Sequence, residues 1–415
     1  MDKPDRKFPV EITLLTRMKE FLKTYPRQFW LLFWGMLVHT TGMSMVWPFL
    51  VVFIGDELAL PLSVVTSLIT INAVTRLATS LVAGSITDRL GRKWSMVISL
   101  VISGGGLVLM LPAQTYWQFA LIMIFRGIFQ PLYRVGSDAM VADLVPTGQR
   151  SDAYALVRLS KNLGIAVGPA LGGILAAKSY NISFSIAAGA ALFFGLLIAI
   201  YALETLPEKA HQAGEKLMEN IRAYREIFLD RLFISFILGF TLRQISGSIL
   251  WILLGAYTKD NFGLPENIFG LIPTTNALMV VFLQLFVTRR TSRFDPLAVM
   301  SLGTLLYGIG VGSIALGSGF WGFWTSMVIV TIGELMVIPT ASTFTANRAP
   351  EDMRGRYMSL LALTWGAGSM VGPLLGGFLN DAFNPKAIWL GGGAAGLLGA
   401  GVYLVMILRR KQKAI

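Results

Sequence analysis

Twelve apolar runs of about twenty residues or more constrain this chain more than any other feature. They lie near 29–54, 63–87, 94–112, 117–143, 151–177, 183–204, 232–257, 267–288, 297–316, 320–346, 356–380 and 387–408. Wound as a helix, twenty residues cover the ~30 Å of a bilayer's hydrocarbon. The helix also satisfies its own backbone polar groups there. Charged residues make up only 14% of the chain and hydrophobic ones 54%, against ~25% charged in soluble domains. The expected fold is an all-α membrane protein.

Charge placement sets the topology. With both termini on one side, that side's segments hold 26 of the 35 Lys and Arg. The opposite loops hold three, Lys178, Lys259 and Lys386. Such a bias puts both termini in the cytoplasm, with the inner (plasma) membrane as the expected location. It also accounts for the net charge of +12 without nucleic-acid binding. Residues 1–28 read as a basic amphipathic segment on the inner leaflet, without the shape of a secretory signal. Residues 205–231 read as a polar cytoplasmic linker between two six-helix bundles, 29–204 and 232–408, and 409–415 as a basic tail.

The halves are copies. Shifted by 204 residues, Ser44, Trp47, Asp56 and Asn72 meet Ser248, Trp251, Asp260 and Asn276. Gly164–Gly173 (GIAVGPALGG) meets Gly368–Gly377 (GSMVGPLLGG). An even number of spans per half makes the repeats parallel, with a site between them near mid-membrane.

Between the second and third spans lies GSITDRLGRK, residues 84–93, with Gly84 and Gly91 as hinges around Asp88, Arg89, Arg92 and Lys93. Gly91 permits a turn at positive φ. Asp88 sits where a carboxylate can meet a helix N-terminus or an arginine. The string resembles the signature loop of the major facilitator superfamily. That resemblance implies a loop that latches the two halves and helps set the inward/outward equilibrium. A simpler role is an anchor that orients the protein. The second copy has lost the acid, since Ser292 stands opposite Asp88.

Gly164, Gly168 and Gly172 recur every fourth residue, with Pro169 and Gly173 completing GPxxGG. The spacing makes a smooth ridge for close helix approach, expected against a helix of the other half. The proline bends the span. The motif resembles that of drug–proton antiporters.

Charges inside the spans are costly, at least ~2.5–3.5 kcal/mol each, so they face a cavity or a partner. Arg126, Gln130, Arg134 and Asp138 form one polar stripe on the fourth span. Arg134 and Asp138 are spaced to pair with each other. Arg126, in FRGIFQ, resembles the arginine linked to proton movement in proton-coupled members. Glu334 is the one carboxylate deep in the second half's spans and maps onto Gln130. Burial favours a neutral carboxyl, which releases its proton when water arrives. Glu334 is therefore the expected proton-coupling residue, with Asp138 and Arg126. The alternative is a structural pair between Glu334 and Arg243 or another arginine. His39 maps onto Arg243; with Gln130, Arg134, Trp251 and Glu334 they are the expected cavity residues.

No cysteine is present and only two histidines, so no metal centre or cofactor is expected beyond the proton gradient. No phosphate-binding loop of the type G-x-x-x-x-G-K-[ST] occurs, which disfavours an ATP-driven pump. Nothing in the chain resembles a catalytic constellation. The expectation is a secondary transporter and not an enzyme, a monomer in the lipid bilayer, exchanging a lipophilic small-molecule substrate for protons. The six intramembrane cations (Arg76, Arg126, Arg134, Arg158, Lys161, Arg243) leave organic anions, sugar phosphates or anionic lipids as the alternative substrate. A non-transporting sensor would not need buried charges in both halves.

Overall fold

The computed structural model describes residues 24–206, 227–350 and 353–412. The expected amphipathic segment up to residue 23 and most of the linker, 207–226, lie outside the described residues. All regular structure among the described residues is helical.

Twelve long helices follow one another among the described residues. The first half holds α1 (Arg27–Leu58), α2 (Leu62–Ser80), α3 (Arg92–Met110), α4 (Tyr116–Leu144), α5 (Arg150–Ala176) and α6 (Tyr180–Tyr201). The second holds α7 (Arg231–Phe262), α8 (Leu271–Thr291), α9 (Pro296–Ser313), α10 (Gly319–Arg348), α11 (Arg354–Ala382) and α12 (Pro385–Gln412). Eleven are long and apolar enough to cross a membrane by themselves. The exception is α4, whose polar stripe dilutes its hydropathy. It starts firmly nonetheless: Thr115 and Gln118 form a reciprocal capping box.

Two boundaries differ from the hydropathy reading. The second span, expected to reach residue 87, ends at Ser80, and Ala83–Leu90 is a separate short helix. That segment alternates apolar with Ser, Thr, Asp and Arg, which cannot continue along a lipid-facing span. The supposed tail also begins as helix, since α12 runs on to Gln412 and Arg410 reaches Asp295 at 3.1 Å.

At the second half's first helix, Asp230 caps the amide of Phe233 at 3.2 Å and takes Arg348 Nε at 2.8 Å. Burial alone would raise the Asp230 carboxyl. The bonds from Arg348, the Phe233 amide and Tyr357 outweigh it and hold the group below its usual value.

Packing explains how the halves meet. One apolar cluster joins both halves at the end away from the basic loops, bringing Phe49, Phe53, Phe119 and Phe184 together with Leu253, Tyr257, Phe269 and Trp389. At the basic end the cores are separate. Phe29, Met96, Met140 and Phe194 belong to one, and Phe233, Met300, Tyr357 and Tyr403 to the other. The apolar cores of the two bundles are therefore fused at one end and separate at the other.

Close crossings make the fused end: Pro48 of α1 lies against Gly255 of α7, and Pro169 of α5 against Gly270 before α8. The pair α2–α11 stays in contact further along, where Leu77 of α2 lies against Gly366 of α11 towards the basic end. Midway along α2, Thr70 Oγ1 donates to the Met370 carbonyl at 3.0 Å.

Candidate functional site

The charged stripe of α4 and the acid of α10 occupy equivalent positions in the two halves, Gln130 matching Glu334 at the 204-residue offset, and the structure gives each its surroundings. Gln130 and Arg134 are exposed, and Arg126 and Glu334 are partly so. Glu334 Oε2 accepts from Asn276 Nδ2 at 3.0 Å, and the same amide reaches Thr331 at 3.0 Å. No ion pair joins Glu334 to a cation among the described residues, so the structural pair with Arg243 does not form.

Arg243 instead turns into its own bundle. It is 2% exposed. Its guanidinium donates to Gln244 and lies over the Tyr307 ring, 3.9 Å from the centroid. Its symmetry mate His39 is buried likewise, edge-on to Tyr133 at 5.0 Å. Both were expected on the cavity wall. Both are instead interior polar groups, because these faces of α1 and α7 pack against aromatic rings of their own halves, Tyr133 and Phe194 for His39 and Tyr307 for Arg243. Trp251 is half-buried one turn beyond Gly247 on α7.

Asp138 does not pair with Arg134. Its partner is Lys161 of α5, at 3.8 Å, which the packing of α4 beside α5 brings across. Arg126 runs along Gly106 of α3 and ends 3.8 Å from the Met110 sulfur. It has no carboxylate partner among the described residues.

The glycine ridge packs inside its own half, not against the other. A Cβ at Gly164 would stand 2.9 Å from the Thr41 amide, at Gly168 2.8 Å from the Thr41 carbonyl, and at Gly172 2.7 Å from Met45 Cα. All three neighbours are on α1. Gly368 and Gly372 meet Gln244 and Ile245 of α7 in the same way, at 2.7 and 2.8 Å. Only the final glycines look outward: Gly173 abuts Glu266 of the second half, and Gly377 abuts Ser63 and Thr66 of the first.

In the signature loop, Gly84 is not a hinge. It lies within the short helix Ala83–Leu90 with open space around it, and the chain turns instead at Leu81–Val82. Gly91 does turn, at φ +89°. Asp88 pairs with Arg92 one turn on, and Arg92 also reaches Asp143 of α4 at 3.5 Å. Arg89 is exposed, and Lys93 lies over Trp94.

The sequence reading missed Glu204, which follows α6. Its carboxylate accepts the amides of Arg92 at 2.8 Å and Lys93 at 3.1 Å, capping α3 where the positive dipole end needs an anion. A Cβ at Gly91 would collide with that carboxylate. Gly91→Ala is therefore expected to lose both a strain-free positive φ and the cap, roughly 2 kcal/mol together. The readout is the melting temperature of the purified protein; a value equal to wild type would contradict this.

A model of the Major Facilitator Superfamily matches residues 32–245 and 237–414. The chain belongs to this superfamily. As a superfamily member it is a multi-pass membrane transporter and not an enzyme. It is 27% identical over 369 residues to a "Na(+), Li(+), K(+)/H(+) antiporter" of Planococcus maritimus, covering 82% of this chain and 86% of that one. It is 23% identical over 390 residues to the quinolone resistance protein NorA of Staphylococcus aureus, covering 93% and 97%. In structure it resembles the nucleoside transporter NupG, with a TM-score of 0.78 at 13% identity over 92% of this chain and 100% of that one.

Proposed function

We propose that this transporter exports small lipophilic compounds in exchange for protons, by alternating access, in the cell's inner membrane. The basic end faces the cytoplasm in this reading, supported by the Lys and Arg bias. The fused end is then the outer one, and the structure corresponds to an inward-facing state.

The observation that carries the reading is Glu334. It is a membrane-embedded acid, partly exposed and held by a neutral amide, with no ion pair to a cation among the described residues. A membrane-embedded carboxyl without a fixed counter-ion is the device such an exchange needs, able to give up a proton to water or to a cationic substrate when the cavity opens. Asp138, tied to Lys161 at 3.8 Å, is the second proton-coupling residue, and Arg126 modulates the proton route from α4. Asp88 latches the outward-facing form; here it is turned to its own Arg92, as an unlatched state requires. Relatives named for cation/proton antiport and quinolone resistance are in keeping with the reading.

A second reading rests on Arg126 and Arg134, which have no carboxylate partner among the described residues. A cavity walled by these cations suits organic anions. Uptake into everted vesicles, with one panel of lipophilic cations and one of organic anions, separates the two. Export of cations that is impaired in Arg126→Ala supports the first reading. Transport confined to anions replaces it with the second.

A further inference from the structure

We propose that Asp381 and Lys259 form a two-part lock that holds the outer end shut and opens in the outward-facing state. The inference rests on the alternating-access reading above.

Helix α2 begins at Leu62, directly after Pro61, and no side chain of its own caps it. Its first amides therefore need acceptors from elsewhere. Asp381, near the end of α11 in the other half, supplies one: its Oδ2 accepts the Ser63 amide at 2.8 Å. Asn380 Nδ2 steadies the other oxygen at 2.9 Å. The cap on a helix of the first half thus belongs to the second half. It exists only while the two are together, and its negative charge meets the positive end of the α2 dipole.

The second part lies across the same rim. Lys259 of α7 reaches Asp56 of α1 at 2.8 Å and the Tyr180 hydroxyl of α6 at 3.1 Å, both in the opposite half. It also contacts Glu266 of its own half at 3.4 Å. Tyr180 in turn donates to Glu266. Three groups from two halves therefore share one ammonium. The two parts border a single outer cleft of about 310 Å³ lined by Asp56, Asp260 and Asp381.

Among the described residues, neither part has a counterpart at the basic end. There, Asp88 of the α2–α3 loop is engaged by Arg92 within its own half. Asp381 and Asp88 thus lie near opposite ends of α2. The outer one is engaged across the halves, and the inner one is not.

The lock is tested by electron spin-echo distance measurements on the full-length transporter in lipid. The chain has no cysteine, so each introduced pair is unique. Labels at Glu57→Cys and Lys386→Cys span the outer end, and labels at Ser85→Cys and Arg293→Cys span the basic end. Asp381→Ala is expected to raise the ratio of long to short outer distances about five- to thirty-fold. Asp381→Asn, which keeps a capping acceptor, should give a smaller rise, and Lys259→Met a rise of its own. An outer distribution unchanged in both Asp381→Ala and Lys259→Met overturns the lock. Shortening at the basic end alongside outer lengthening supports alternating access. Outer lengthening with no change at the basic end keeps the lock and overturns the alternating-access reading.

Discussion

Glu334→Gln leaves the transporter folded but unable to accumulate substrate against a gradient by spending a pH difference. Gln has nearly the volume of Glu and still offers an oxygen to the Asn276 amide, which holds Glu334 at 3.0 Å. Thr331, also bonded to Asn276, is undisturbed. What disappears is the exchangeable proton. Energised accumulation should therefore fall to the level of protein-free vesicles. Substrate exchange between equal concentrations on both sides, which needs no net proton movement, should survive. Full accumulation in this variant would remove Glu334 from the coupling mechanism.

Gly377→Val should abolish transport by a different route. Gly377 lies where α11 crosses the start of α2. A Cβ there would stand 2.7 Å from Ser63 Cα and 3.0 Å from the Leu62 carbonyl. Both are backbone, so neither can swing aside, and valine adds two more carbons. Overpacking of this kind costs about 1–3 kcal/mol, which shifts a two-state ratio some 5–150-fold. The clash exists only when the outer end is closed, so the variant collects in the outward-open form and cycling stops. Gly173→Val, against Glu266, should behave alike by symmetry. Gly189→Val, on an exposed face of α6 with open space around the site, is the control and should transport normally. Wild-type transport by Gly377→Val would mean that the outer end does not close this tightly during the cycle.

Much of the architecture was legible because membrane folding writes it in hydropathy and in small-residue spacing. The twelve helices and the repeat came from those two signals. Partners were less legible. Four-residue glycine spacing reports that something comes close, but not what, and Gly164, Gly168 and Gly172 turned out to meet α1 and not the other half. The 204-residue offset paired His39 with Arg243, yet an offset carries no information on which way a helix is rotated. Both side chains face inward to their own bundles. Glu204 has no local signal at all. Its acceptor role depends on amides 111 and 112 residues earlier in the chain. The clasp between Lys259 and Asp56 spans 203 residues. Ordinary polar residues at helix ends acquire such roles only from the docking of the halves.

The central claim is that substrate movement and proton movement share Glu334. The most direct measurement is proton flux in proteoliposomes that enclose a pH-sensitive dye, on addition of a lipophilic cation with no gradient imposed. The account predicts substrate-triggered proton release in wild type that vanishes in Glu334→Gln. Equal release from the two proteins, or none from wild type while substrate is still transported, would contradict it.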